Sequence, residues 1–471
     1  MAIQWSGLGP ELLLRLDRGS GRPLRSQLEA GLREAIRSAR LQGGERLPSS
    51  RELARELGIS RGLVQECYGQ LLSEGYLTSQ VGSATRVAMG AYPAAPEPPP
   101  RPAPAPRLIA DFRSGVPDLA SFPRGDWVWA TREACGSMAN LDLDYGDPRG
   151  SAVLRGVLAS YLRRVRAASA EPGQMIVSTG FAQGVILVLR ALAQAGVRCV
   201  AFEDPGYGGA DTSETVRAAE ALGLRAVHVP VDDLGIDVGA LAESGAQVVV
   251  VTPAHQSPTG VVLAARRRHA LVGWANANGG FIVEDDYDSE FRYDREPVGV
   301  LQGLAPGRVF MIGTASKALA PAVRLGWVLA PPALADAVAA EKLISDRGSS
   351  TLDQLALAAL IRSGRYDRHL RRMRVIYARR RARLIDALAR HAPGTRLTGL
   401  AAGFHAVAHL RPTADEQAVV AAARERRVGL YGISGYRADG AVVPPQLLIG
   451  FGNVSERAIE PGIAAVADLL S

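Results

Sequence analysis

Lysine occurs at only two positions in a chain of 471 residues with 54 basic side chains, Lys317 and Lys342. Arginine replaces lysine in most surface roles, but its guanidinium stays protonated and cannot condense with a carbonyl. A lysine kept in such a chain is therefore a candidate for amine chemistry. Lys317 stands in GTASKALAPAVRLGW (313–327), with Thr314 and Ser316 just before it and Arg324 seven residues later. An amine that condenses with an aldehyde, beside hydroxyls and a guanidinium that bind phosphate, suits an aldehyde-bearing phosphate cofactor. Lys342 lies in a polar, helix-like run and is expected at the surface.

Three further clusters fit the same cofactor. VEDDY (283–287) places three acids at the end of an apolar run. A carboxylate there is costly unless paired, and Asp285 against a protonated ring nitrogen meets that need, with Tyr287 a donor to a ring phenolate. STGFAQ (178–183) ends one apolar run and opens a helix, whose free amides and dipole favour phosphate. EDPGYG (203–208) offers Tyr207 as an aromatic plate. Alone, each admits another reading: a structural lysine, an acidic Mg²⁺ site, an ordinary helix cap.

The elements needed to position these groups are legible as alternation. From residue 174 the apolar runs MIVST, VRCVAFEDP, AVHVPV, AQVVVVTP, GFIVEDDY, RVFMIGTA and LGWVLAP alternate with helical patterns. Short continuous apolar runs separated by helices imply a mostly parallel sheet covered on both faces, an α/β fold that collects ligands at the strands' carboxyl ends. Upstream, 91–106 reads AYPAAPEPPPRPAPAP, with eight prolines and no glycine, a polyproline spacer. The expected division is a module over 1–90, a linker over 91–108 and a module over 109–471. Within the last, a large lobe is expected over about 150–345 and a small lobe over about 109–149 and 346–471.

In the first module, Leu24, Leu28, Leu32 and Ile36 form one stripe of an amphipathic helix over 24–38. Gly43 and Gly44 stop it, Pro48 and Ser49 suit a helix start, and Gly58 turns the chain before Ser60 caps a third helix. A helix, a glycine turn and a second helix form the helix-turn-helix pattern. The pieces 76–80 and 84–88 follow as a β-hairpin wing.

Composition limits the alternatives. No stretch of eighteen uncharged apolar residues exists, and acidic and basic residues occur by position 18, so a soluble cytoplasmic protein without a membrane span or signal peptide is expected. Cys67, Cys135 and Cys199 match no metal-ligand spacing; reduced thiols and no metal are expected. The net charge of +7 permits a polyanionic partner. Residues 1–90 hold 12 arginines against 9 acids, a modest surplus of +3, so a DNA reading rests on motif more than charge.

Over about 23–88, RLPSSRELARELGISRGLV and LLSEGYLTSQVGSATRVA resemble the GntR family of winged-helix repressors. The resemblance implies that Ser60, Arg61 and Gly62 face base edges in the major groove of an operator duplex. It also implies that Arg51 reaches DNA and that Gly82 and Ser83 set the wing tip near the minor groove. Many family members carry a hydroxyl residue one or two places after the arginine; Gly62 and Leu63 stand there in this chain. Over about 110–470 the clusters resemble fold-type I aminotransferases, with a mostly parallel seven-stranded sheet and a smaller α/β lobe. DYGDPRG, TPAHQSPTG, EDDYDSEFRYD and TASKALAPAVRLGW resemble the MocR (PdxR-like) branch of GntR regulators, in which a winged helix is fused to an aminotransferase-like domain.

This resemblance implies pyridoxal 5'-phosphate (PLP) as cofactor, with Lys317 its aldimine lysine and catalytic residue, Asp285 the ring-nitrogen partner and Tyr207 the stacking ring. Gly180, Phe181, Ala182, Thr314, Ser316 and Arg324 would surround the phosphate, and Tyr145 would reach the partner's cofactor in a homodimer. His255 and Gln256 belong to the branch's form of the Asn-Pro-Thr-Gly loop, with Ser257 in place of the Asn. Many aminotransferases hold the substrate carboxylate with an arginine three residues before a C-terminal phenylalanine; PQLLIGF puts Leu448 there, and Arg437 is the nearest alternative. Without that clamp, turnover of amino acids is disfavoured. The expected function is a PLP-dependent transcriptional regulator sensing PLP or an amino compound, with a vestigial or half-reaction transaminase domain; the alternative is an active aminotransferase that also binds DNA. The run 362–383, with ten arginines, reads as a solvated helix face or a second DNA-facing stripe.

Overall fold

A computed structural model describes residues 14, 16–79, 84–90, 108–207, 213–293 and 299–470. The chain forms two compact units, Met1–Ala105 and Pro106–Ser471.

The first unit holds α1 (Leu24–Arg37), α2 (Ser50–Leu57), α3 (Arg61–Ser73), β1 (Leu77–Thr78) and β2 (Arg86–Val87). The apolar stripe of α1 closes on the inward faces of α2 and α3: Leu28, Leu32 and Ile36 pack with Leu53, Val64, Tyr68 and Leu71. Each fully buried side chain of this kind contributes about 1.5–3 kcal/mol. Ser49 accepts from the Glu52 amide and Glu52 reaches back, a capping box that starts α2; Gly58, with φ +63°, ends it in the left-handed conformation. The strands pair antiparallel, Leu77 with Val87 and Thr78 with Arg86. The linker expected over 91–108 lies outside the described residues except for Leu108.

The second unit is built on one sheet in the order β4-β11-β10-β9-β8-β5-β6-β7. Its strands are β4 (Met175–Ser178), β5 (Cys199–Asp204), β6 (Arg225–Asp232), β7 (Gly235–Ile236), β8 (Val248–Val251), β9 (Phe281–Asp286), β10 (Val309–Thr314) and β11 (Gly326–Leu329). The expected seven strands are present, and the two-residue β7 adds an eighth. β10, β9, β8, β5 and β6 run parallel, whereas β11 is antiparallel to both of its neighbours. β4, β8, β10 and β11 are buried along their length, and β5 and β9 are apolar until their acidic ends, because helices cover both faces. These helices include α6 (Phe181–Gln194), α7 (Glu214–Ala221), α8 (Val238–Glu243), α9 (Ala265–Ala277) and α10 (Ala335–Asp346).

β3 (Ala110–Asp111), α4 (Arg124–Ser137) and α5 (Ala152–Arg166) precede the sheet. α11 (Thr351–Arg362) and α12 (Arg365–His391) follow it and lead to β12 (Arg396–Thr398), β13 (His405–His409), α13 (Glu416–Glu425), β14 (Val428–Gly429), β15 (Gln446–Gly450) and α14 (Glu456–Ala465). β12, β13 and β15 make a separate three-stranded antiparallel sheet, and β14 pairs parallel with β3. Among the described residues, no helix is long and apolar enough to cross a membrane.

Of the arginine-rich run 362–383, Arg362 ends α11 and the other arginines lie in α12, and several of them are tied into the unit. Arg380 is buried against Asp118 at 2.7 Å, and Arg374 and Arg381 donate to the Glu290 and Leu400 carbonyls. Arg365 pairs with Asp126. That distribution fits a helix anchored to the body better than a continuous cationic stripe.

Candidate functional site

In the first unit, Ser60 caps α3 by accepting from the Leu63 amide, which fixes Arg61 as the first helical residue. Arg61, Gly62 and Arg51 are exposed, and nothing lies within 4 Å of a Cβ built on Gly62. The start of α3 is therefore an open surface. Arg61 Nε approaches Ser50 Oγ at 3.4 Å, which sets its guanidinium beside the start of α2. Gly82 and Ser83 lie outside the described residues.

In the second unit, the parallel strands β5, β8, β9 and β10 end at Asp204, Val251, Asp286 and Thr314, and polar groups gather there. Gly180, with φ +122°, is the N-cap of α6. A side chain at this φ is strained, and a Cβ there would lie 3.9 Å from both Arg324 Nη1 and Thr314 Oγ1. Those two donors thus converge over Gly180 at the start of a 14-residue helix, whose first amides have no partner within the helix. Thr314 Oγ1 donates to Ser316 Oγ at 2.9 Å, which joins Ser316 to the group. Phe181 and Ala182 form the first turn, and the Phe181 ring meets Tyr207 edge-on at 5.9 Å. Tyr207, Phe181 and Asp285 line one cleft, with Tyr207 itself largely exposed.

The three acids of β9 have separate fates. Asp286 holds Arg166 in a bidentate pair at 2.9 and 2.6 Å, both side chains buried. Glu284 accepts from the Leu301 and Gln302 amides at 3.0 and 3.1 Å, and burial pushes it up to about 7. Asp285 is buried, and among the described residues its Oδ1 has no hydrogen-bond partner. Burial drives its carboxyl well above the usual range, opposed by the charge of Lys317. With Glu284 and Asp286 committed elsewhere, the three acids do not form a Mg²⁺ cluster. Lys317 donates to the Gly115 carbonyl at 2.5 Å. Burial lowers its pKa, against the pull of Asp285 and Asp288, which raises the share of free amine at neutral pH.

These residues fit PLP. Asp285 Oδ1 would accept from a ring N–H, Gly180, Thr314 and Arg324 would hold the phosphate and Lys317 would supply the amine, together a cup at the strand ends. Tyr287 donates to the His255 carbonyl at 3.0 Å and lies 3.1 Å from His255 Nδ1, so its hydroxyl is already held at the site's edge.

Other expected residues lie apart. Tyr145 is exposed beneath Arg347, 5.4 Å from ring centroid to guanidinium, and joins no cup residue within this chain. Arg437 is nearly buried, its guanidinium donating to Ala441 O, Pro444 O and Gln446 Oε1 at 2.5–2.8 Å. All three acceptors are neutral oxygens within ten residues, so the guanidinium already closes its own loop. Leu448 is buried against Val407 and Ile433.

The expectation for Lys342 is corrected. It is fully buried, and its ammonium donates to Gln183 Oε1, Asp346 Oδ2 and Ser349 Oγ at 3.0, 2.6 and 3.0 Å. Gln183 also accepts from the Thr179 amide, so this lysine braces the entry to α6. A compact ammonium with three donors fits such a pocket where a planar guanidinium does not.

Sequence reasoning missed Gly115, Arg166 and Glu203. Glu203 accepts from Thr252 Oγ1 at 2.6 Å and Gln256 Nε2 at 3.3 Å, and burial pushes it up to about 7. It stood inside a quoted cluster, the one signal available; Gly115 and Arg166 reach the site only through tertiary contacts.

Residues 111–465 match the family described as aminotransferase class I and II, and 24–87 match the bacterial regulatory proteins of the gntR family. The chain is 34% identical to the HTH-type pyridoxine biosynthesis transcriptional regulator PdxR of Corynebacterium glutamicum, covering 95% of this chain and 96% of that one. It is 32% identical to the probable rhizopine catabolism regulatory protein MocR of Rhizobium meliloti, over 96% and 94%. A crystal structure of Pyrococcus horikoshii kynurenine aminotransferase, in complex with PMP, superposes with a TM-score of 0.69 at 25% identity, over 77% of this chain and 91% of that one.

Proposed function

The chain belongs to the MocR (PdxR-like) branch of GntR transcriptional regulators, with an aminotransferase class I and II domain, and from that premise we propose that PLP held on Lys317 is its signal. The observation that carries this reading is the buried Asp285 oxygen without a partner, in electrostatic contact with the Lys317 amine. When bound, the cofactor supplies an aldehyde for the amine and an electron-accepting ring. Lys317, its pKa lowered by burial, would offer a larger share of nucleophilic amine than an exposed lysine. Asp285 stabilises a protonated ring nitrogen, and Tyr207 covers the ring. Gly180, Phe181, Ala182, Thr314, Ser316 and Arg324 hold the phosphate with amides, hydroxyls and a guanidinium.

Sensing is favoured over turnover by the C-terminal segment. Leu448 sits in an apolar cluster, and Arg437 is bonded to three neutral oxygens. A substrate carboxylate thus lacks the preset bidentate partner that orients amino acids for proton transfer. We place the protein in the cytoplasm as a homodimer, with Tyr145 completing the partner's site. Its exposed ring, with Leu141 and Leu143 also exposed, supports an interface there. Ser60, Arg61, Gly62 and Arg51 would read the operator, with Gly82 and Ser83 at the wing tip, and an amino compound is a candidate second effector.

The test measures binding of the full-length protein to duplexes selected from a random library, with and without PLP, for the wild type and Lys317→Ala. A PLP-dependent change of about 5- to 150-fold in DNA affinity, absent from the variant, is expected. Equal affinity with and without PLP overturns the sensing role. The second reading, an active aminotransferase, keeps support from the intact Lys317–Asp285 pair; conversion of bound PLP to pyridoxamine phosphate by added amino acids would establish it.

A further inference from the structure

Beyond the phosphate cradle, His255, Asp288 and His405 form a cluster that the cofactor reading does not use. All three are buried. They are far apart in sequence: His255 follows β8, Asp288 lies two residues past β9, and His405 opens β13. His255 Nδ1 is 2.8 Å from Asp288 Oδ2, and its Nε2 is 3.3 Å from the Gly399 carbonyl oxygen. The His405 ring lies against the His255 ring at 4.5 Å. One potential ligand atom from each of the three falls within 4.8 Å of the other two.

Proton counting exposes a deficit. His405 Nε2 is buried and has no hydrogen-bond partner among the described residues. With the His255 proton on Nε2, toward Gly399 O, its Nδ1 is a lone pair against a carboxylate oxygen at 2.8 Å. A proton on His255 Nδ1 would reconcile that pair and leave His405 Nε2 unsatisfied. A divalent cation satisfies all three.

We propose that His255, Asp288 and His405 bind one divalent transition-metal ion, Zn²⁺ in preference to Mg²⁺ or Ca²⁺. Two imidazoles and one carboxylate suit zinc, whereas Mg²⁺ and Ca²⁺ require an all-oxygen shell. The Gly399 carbonyl, 3.3 Å from His255 Nε2, is placed to fix that imidazole's tautomer, an outer-shell arrangement of histidine ligands. Gly403, with φ +66°, roofs the cluster, and a Cβ there would come within 2.3 Å of Asp288 Oδ2. The ion would tie the β8 loop and the end of β9 to β13, so its binding energy adds to the stability of the folded chain.

The test uses the full-length, untagged Lys317→Ala protein, in which no cofactor absorbance obscures the visible region and the outcome does not depend on the PLP reading. After removal of metal with a chelator it is titrated with Zn²⁺, and separately with Co²⁺ followed by absorbance. One equivalent per chain, intense tetrahedral Co²⁺ bands and a Zn²⁺-dependent rise in Tm are expected. His405→Gln and Asp288→Asn, each added to this background, should lose at least about tenfold in affinity. No stoichiometric binding, or binding unchanged in both variants, overturns the proposal and leaves a proton shared by His255 and Asp288. Should a variant fail to fold, the Co²⁺ spectrum of the folded parent decides: absence of the tetrahedral bands counts against the site.

Discussion

Asp285→Asn changes one charge and almost no volume, at the residue proposed to face the cofactor's ring nitrogen. In the folded chain Asp285 is buried, Oδ1 lacks a partner, and burial holds the carboxyl well above its usual range. A hydrogen bond involving a charged partner contributes about 1.5–3 kcal/mol, and each 1.4 kcal/mol is about tenfold in Kd. Losing the carboxylate–pyridinium pair should therefore weaken PLP binding by about 12- to 140-fold. Without cofactor the sign differs, because an amide is easier to bury than an unpaired carboxylate; the empty variant should be at least as stable as the empty wild type. PLP titrations followed by tryptophan fluorescence, beside urea unfolding of both empty proteins, measure the two effects separately. Equal affinities would remove Asp285 from the cofactor site. Weaker binding matched by an equal loss of stability in the empty variant would mean that Asp285 is a structural residue.

Arg61→Ala should cost about 1–3 kcal/mol of discrimination between a selected duplex and a scrambled one, read by competition binding; uniform weakening across sequences would assign Arg61 to phosphate contact. Arg166→Met leaves Asp286 buried without its bidentate partner and should destabilise the fold by about 3–5 kcal/mol, seen as a lowered urea midpoint; an unchanged midpoint contradicts the pairing. Burial raises Glu284 from 4.5 to about 7, so its contribution to stability is fully present below about pH 4.5 and is lost as pH rises through about 7. Glu284→Gln should therefore gain on the wild type between about pH 5 and pH 8, and parallel stability curves would contradict that environment.

How far the sequence could carry these assignments varies by residue. Lys317 was legible because lysine is so rare in the chain, and the cup residues because each borders an apolar run at a strand end. Among the three adjacent acids the sequence reading chose Asp285 for a ring nitrogen; what it could not show is that Glu284 and Asp286 are held by residues 301–302 and by Arg166. Lys342 was misjudged because AAEKLISD reads as polar, while its burial depends on Gln183 and Ser349, which no local pattern links to it. The His255–Asp288–His405 cluster escaped for the same reason, its members lying on three separate elements.

The central claim is a covalent link between PLP and Lys317, and the chain's two lysines make it directly testable. The full-length protein is incubated with PLP, its visible spectrum recorded, the product reduced with borohydride, and the peptides mapped by mass spectrometry. A visible band with the pyridoxyl group on Lys317 alone, and no band in Lys317→Ala, is the predicted result. No band in the wild type, or label on Lys342 or the chain's amino terminus in place of Lys317, would contradict it.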